Sequence, residues 1–245
     1  MTGVKKIFPL IFLLAAVASA QVLPSVNFGF TQAGSPEDVV ASLQIIFLLS
    51  ILALAPSILV MMTSFVRIII VFSFIRRAVG LQSTPPDQVL VGLALFLTFF
   101  IMSPTFTQIN DNALQPYLAK DISWEQGIEN AGVPLKQFML RQVYEKDVAL
   151  LMRISGKTPP ATAMEIGFDV LIPAFMISEL KTAFIFGFII YLPFLVVDMV
   201  VASVLLSMGM MMLPPTTVSL PFKVILFVLI DGWNLIVKQL VGSFF

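Results

Sequence analysis

Histidine and cysteine are both absent from the 245 residues. Their absence removes thiol nucleophiles, disulfides, the usual imidazole general base, and zinc or haem sites held by His or Cys. Charge is scarce as well: only 11% of the chain is charged, Lys+Arg and Asp+Glu number 14 each, and the formal net charge is zero. No basic field is available to draw a nucleic acid. The acids do not cluster as a carboxylate-only metal site would require, so the sequence calls for no metal and no cofactor. Nothing in it forms a catalytic constellation, and the reading is that the chain is not an enzyme.

What fills the chain is apolar. Hydrophobic residues make up 58% of it, well above the usage of soluble domains. Long uncharged runs around a polar middle predict an all-α, integral membrane-type protein. Its expected architecture is two long helical hairpins with a helical polar insert between them.

The start of the chain has the order of an export signal. Lys5 and Lys6 precede an apolar stretch, Ile7–Val17, and Ala18-Ser19-Ala20 offers a small-x-small cleavage pattern before Gln21. Residues 1–20 therefore read as a signal peptide, too short in its apolar part to span a bilayer. Residues 21–38, with Gly29, Gly34 and Pro36, read as a linker.

Residues 39–110 form the first apolar part. Val39–Val66 carries no charge, and Ile68–Ile75 continues it after Arg67. One straight helix over Val39–Ile75 would run about 55 Å, against a hydrocarbon core of about 30 Å. Pro56 is expected to bend or break it. Val89–Ile109 is a cleaner spanning candidate. Between them, Arg76 and Arg77 are expected on the cytoplasmic side by the positive-inside rule. That agrees with an exported N-terminus and sends the next segment outside.

Residues 111–169 are that polar insert, with half of the chain's charged residues. Ser123-Trp124-Glu125-Gln126 is a capping-box signature. Gly132 is expected to end that helix and Pro134 to open the next, which Gly156 would close. Mixed charges favour a solvated helical hairpin over a ligand site.

Residues 170–245 are apolar again and read as a helical hairpin. Its limbs are Thr182–Met208 and Thr217–Val237, joined through Gly209-Met210-Met211-Met212-Leu213-Pro214-Pro215. A connection between membrane helices is usually polar, yet this one has no charge. Methionine is unbranched and polarizable and re-packs easily, so the turn reads as apolar and pliable. Glu179, Lys181, Asp198, Lys223, Asp231 and Lys238 are the charges of this part. At such depth they should pair or line a wet cavity, and Glu179, Lys181, Asp198, Lys223 and Asp231 are the candidates for buried-charge and assembly roles. Counting back from the turn puts Lys223 about 6 Å along the axis from the level of Asp198, within reach of a Lys side chain. Glu179 and Lys181 are two apart on a helix and must find partners elsewhere.

Two stretches carry a likeness to a known family. One runs from Met61-Met62-Thr63-Ser64-Phe65-Val66-Arg67 through Pro85-Pro86-Asp87-Gln88-Val89-Leu90 to Gly92–Phe100. The other runs from Ser178-Glu179-Leu180-Lys181-Thr182-Ala183-Phe184 through Leu192-Pro193-Phe194 and the methionines to Phe222-Lys223 and Asp231-Gly232-Trp233. The chain resembles the FliP family, the P subunits of the flagellar type III export gate, with Arg77 where that family commonly has Asn. The resemblance implies a ring-forming subunit, a homopentamer joined to FliQ and FliR in the bacterial inner membrane at the flagellar basal body. FlhA and FlhB would be neighbours, and unfolded flagellar proteins would pass through the centre. It implies that Met210, Met211 and Met212 form a pore gasket, and that apparent membrane spans are lifted out of the bilayer plane. The competing class is a small-solute or proton transporter, suggested by buried charges and by Pro56, Pro193 and Pro214-Pro215. No inverted repeat supports it.

Overall fold

A computed structural model describes residues 36–245 apart from positions 82, 159 and 211. The expected signal peptide and most of the linker lie outside the described residues. Helices follow one another as α1 (Pro36–Met61), α2 (Phe65–Val79), α3 (Asp87–Ile109), a π-helical turn (Asn110–Leu114), α4 (Gln115–Leu118), α5 (Trp124–Gln142), α6 (Glu145–Ile154), α7 (Phe168–Ser207), α8 (Pro215–Leu229) and α9 (Gly232–Gly242). A short 3₁₀ turn, Ala163–Glu165, precedes α7. No strand occurs among the described residues, so the all-α reading holds.

The chain divides into two bodies, residues 1–51 and 52–245. In the first, the described part of α1 shows Leu43, Ile46, Phe47 and Leu48 exposed. The second holds the core, and its centre is α2 against α7. Ile68, Val71, Phe72, Ile75, Ala78 and Val79 are all buried, a stripe at helical spacing on one side of α2. They meet Leu171, Phe175, Ala183 and Phe194 of α7 and Leu240 of α9 in one cluster. Close approach is made possible by Gly187, where a Cβ would stand 2.4 Å from Cγ of Phe74. Phe74 instead turns its ring edge to Phe184, with centroids 5.2 Å apart.

Two helical stretches, Asp87–Leu118 and Phe168–Ser207, are long and apolar enough to cross a membrane by length and composition. The pair α8 and α9 would make a third if counted together, but a 63° bend separates them.

Three local expectations need correction. The first apolar run does not break at Pro56, which sits inside α1. The break falls at Met62–Ser64, where the Thr63 hydroxyl donates to the Val60 carbonyl at 2.8 Å and all three residues are buried. A side-chain donor has taken a carbonyl that helix continuation would use.

In the insert, the capping box forms as read: Gln126 N donates to Ser123 Oγ and Ser123 N to Gln126 Oε1. But Gly132 does not end that helix, and α5 continues through Pro134 to Gln142. Gly132 instead gives room to the Phe168 ring, 3.3 Å from where a Cβ would be. The real boundary is the extended pair Val143 and Tyr144. Tyr144 N donates to Ser178 Oγ of α7 at 3.0 Å, a tertiary bond that no local pattern announces. Gly156 does close α6 in the left-handed region, at φ 66°.

The limb Thr217–Val237 is likewise not one helix. Asp231 takes a left-handed conformation at φ 49° and splits it into α8 and α9. The chain can turn there because Gly232 carries no Cβ, which would lie 2.3 Å from the Phe227 ring.

Candidate functional site

The polar groups inside the apolar body gather at three places. The first is Arg67, only 2% exposed, at the buried side of α2. Its Nε donates to Glu179 Oε2 at 2.8 Å, and its Nη2 pairs with Glu179 Oε1 in a two-pronged bridge. The same Nη2 reaches Gln142 Oε1 at 3.0 Å, and Nη1 reaches Ser243 Oγ at 2.8 Å. The Phe244 ring lies under the guanidinium, 3.9 Å from its centroid. Gln142 Nε2 closes the circle on the Phe244 carbonyl at 3.2 Å. A planar fork of donors suits such a node, since guanidinium and carboxylate match in two places at once. Four segments are tied there: α2, the end of α5, α7 and the residues after α9.

The second place is the hairpin of α7 and α8. Lys223 Nζ meets Asp198 Oδ2 at 2.5 Å, with side chains 5% and 16% exposed. Ser219, one turn before Lys223, donates to the other carboxylate oxygen, also at 2.5 Å. Beside this pair lies a cavity of about 470 Å³ lined by Arg77, Tyr191, Thr216 and the pair itself. Arg77 stands exposed at its mouth, while Arg76 bonds Asp87 at the start of α3, at 2.5 Å. The α2 end that holds both arginines closes on Gly80, left-handed at φ 86°, whose N–H and that of Leu81 return to the Arg77 and Arg76 carbonyls. That is a Schellman closure, and basic side chains at a helix C-terminus suit the dipole there.

The third place is the turn between α7 and α8. Gly209 N donates to the Leu206 carbonyl and Met210 N to the Leu205 carbonyl, which again closes the helix on a left-handed glycine, at φ 77°. The tip beyond it is wholly apolar and bare. Met208 is 62% exposed, Met210 37% and Met212 98%. Met211 lies outside the described residues.

Lys181 and Asp231 are placed otherwise than a buried-charge role requires. Lys181 is half-buried, with its Nζ 4.7 Å from the Tyr144 ring centroid. Asp231 is exposed at the α8–α9 break, where its backbone geometry is its visible contribution. So Glu179, Asp198 and Lys223 sit in buried or partly buried ion pairs, and Lys181 and Asp231 do not. Arg67 is the residue that sequence reading undervalued. The available signal was a lone Arg between two uncharged runs, which in an apolar setting calls for a partner.

The FliP family model matches residues 48–240, a span that contains every residue of these three places except Ser243 and Phe244. The flagellar biosynthetic protein FliP of Bacillus subtilis is 54% identical over 209 residues, which cover 85% of this chain and 95% of that protein. The protein of the same name from Caulobacter vibrioides is 51% identical over 232 residues, 95% of this chain and 86% of the other. That from Aquifex aeolicus is 48% identical over 210 residues, 84% and 87% of the two chains. A match of this extent, on a helical body with membrane-length apolar helices, shows that the chain belongs to the FliP family.

Proposed function

We propose that this chain is a core subunit of the flagellar type III protein export gate. Copies of it form a ring, expected to be a pentamer, that joins FliQ and FliR in the bacterial inner membrane at the flagellar basal body, next to FlhA and FlhB. Unfolded flagellar proteins cross through the middle. The role is that of a conduit, without catalysis. Support comes from the relatives, all flagellar biosynthetic proteins by name.

The single observation that carries the reading is the turn at Met210–Met212. A helix tip that exposes Met212 at 98% and bears no charge has no reason to face water alone. Converged around an axis, such tips make an apolar constriction that closes by dewetting. Their pliable thioethers can mould to a passing chain whose side chains vary. The ion pairs fit a structural role in this reading. Glu179 and Asp198 are each engaged by a cation of the same chain, as buried charges need to be; the first pair ties α7 to α2, and the second holds the hairpin of α7 and α8 that presents the turn. Arg76 and Arg77 mark the cytoplasmic side, which puts the insert on the periplasmic side.

Native mass spectrometry of the solubilised complex tests this. A five-fold ring of this chain with two further small helical membrane proteins is the expected composition. A monomer or dimer without them would return the chain to the transporter class.

A further inference from the structure

Sulfur is concentrated at one place in this chain. Four of its 13 methionines, Met208, Met210, Met211 and Met212, fall within five consecutive positions, and there is no cysteine. A thiolate would draw an oxidant first; without one, the thioethers are the oxidisable sulfur, and their susceptibility follows exposure. Exposure separates them. Met212 is 98% exposed, Met208 62% and Met210 37%, whereas Met102 and Met139 are sealed in the core and Met62 and Met152 nearly so. Met61, Met164 and Met199 are exposed as well, but they lie outside the turn. The turn has no partner for a polar group either. Residues 208–215 are Met, Gly, Leu and Pro alone and carry no side-chain hydrogen-bond donor.

We propose that Met210 and Met212 are a redox-modification site: hydrogen peroxide oxidises them to methionine sulfoxide and unseals the turn, and a methionine sulfoxide reductase restores it. In the forward step the thioether sulfur attacks one peroxide oxygen. The O–O bond breaks, an S–O bond forms, and the sulfur-bound hydroxyl gives its proton to the departing hydroxide, which becomes water. Sulfur loses two electrons and the peroxide gains them. The reverse step uses a dithiol, which becomes a disulfide as the sulfoxide oxygen leaves as water. A sulfoxide is polar and accepts hydrogen bonds. With no side-chain donor in the turn, its oxygen takes them from water. An apolar constriction closes by dewetting, so a ring of hydrated sulfoxides holds it wet and passable to small ions. Peroxide is close to water in size, and a conduit that opens for its cargo meets water along its lining. The inference deepens the gate reading and rests on it: the chemistry at sulfur needs exposure alone, but its consequence needs the tips to form the seal.

The test exposes the intact gate complex, in detergent and in sealed vesicles, to hydrogen peroxide. Peptide mapping reads the sulfoxides, and potassium efflux reads the seal. Sulfoxide should form at Met212 and Met210 at least about tenfold faster than at Met102 and Met139, with the complex still assembled. Potassium efflux should rise with it, and a methionine sulfoxide reductase with dithiothreitol should return it to the starting level. Met210→Leu with Met211→Leu and Met212→Leu nearly conserves volume and should stay tight with or without peroxide, although Met61, Met164 and Met199 remain. Met210→Gln with Met212→Gln, polar without oxidation, should leak untreated. Protection of Met210 and Met212 to the level of the core methionines would overturn the proposal, as would an equal peroxide-induced efflux in the Leu variant. Unchanged efflux from oxidised parent vesicles, beside a leaky variant with Met210→Gly, Met211→Gly and Met212→Gly, would overturn it and leave the seal standing. Tightness of that Gly variant as well would remove the seal reading, and this proposal with it.

Discussion

Among single residues, Arg67 carries the most consequence. Removing one partner of a buried pair strands the other, at about 3–5 kcal/mol. Glu179→Gln and Arg67→Met should each lower stability by that order in chemical unfolding of the solubilised chain. The double variant should cost clearly less than the sum of the two, and strict additivity would show that the bridge contributes nothing as a pair. Asp198→Ala and Lys223→Ala should each impair assembly in the same way, with partial recovery in the charge-swapped double variant. The two bridges differed in how readable they were. Asp198 and Lys223 flank one turn, so counting residues back from its centre brings them level. Arg67 and Glu179 are 112 residues apart, on helices whose pairing no counting rule provides.

At the level of the element, local chemistry was legible and tertiary chemistry was not. The capping box at Ser123 and the left-handed closure at Gly156 depend on neighbours within a few positions, and both form. The roles expected of Gly132 and Pro134 failed because a packing partner, Phe168, decided what Gly132 was for. Gly187 shows the same in α7. Sequence reading passed over it as one small residue in an apolar run, yet it sets the distance between α2 and α7. Gly187→Leu should therefore destabilise the body by about 1–3 kcal/mol through overpacking against Phe74, and Phe74→Ala in the same chain should relieve part of that loss. A thermal melt of the pair of variants decides it; no change in the single variant would mean that α7 shifts freely. At the break between α8 and α9, Asp231→Gly should be tolerated, whereas Asp231→Val should be costly, because a β-branched residue resists the left-handed region. Comparable melts for these two would show that the break relaxes to a continuous helix.

For the whole molecule, the all-α class and the membrane-length helices were available from composition and run length alone. The over-long helix was expected at the start of the chain, but it proved to be α7, with 40 residues and about 60 Å of axis at the usual rise. No bilayer is that thick, which is what lifting out of its plane would accommodate. The proposed sidedness rests on Arg76 and Arg77 through the positive-inside rule, and the chain's lack of cysteine makes it easy to check. Lys157→Cys supplies a single thiol on the insert, which should react with a membrane-impermeant maleimide in whole cells. Reaction only after lysis would point to the reverse orientation. The pore reading makes a sharper demand. Replacing Met210, Met211 and Met212 together by Gly should leave the complex assembled yet leaky to small ions when overproduced. A variant that assembles, stays ion-tight and still supports export would remove the gasket role.

The Arg67 node also has a bearing on time. Ser243 lies 176 residues after Arg67, and Glu179 lies 112 after it. A ribosome adding 5–20 residues per second leaves Arg67 waiting roughly 6–22 s for its carboxylate and roughly 9–35 s for Ser243. Until Glu179 is made, a cation destined for the interior has no carboxylate to meet it, and of its distant side-chain partners only Gln142, 75 residues on, is already present. The nascent chain must keep α2 hydrated, or let it lean on something else, until translation nears Ser243. Ribosome profiling with site-specific cross-linking at Phe65 or Ile69 should thus find α2 in contact with other cellular components until late in synthesis, and released from them once the residues after α9 emerge.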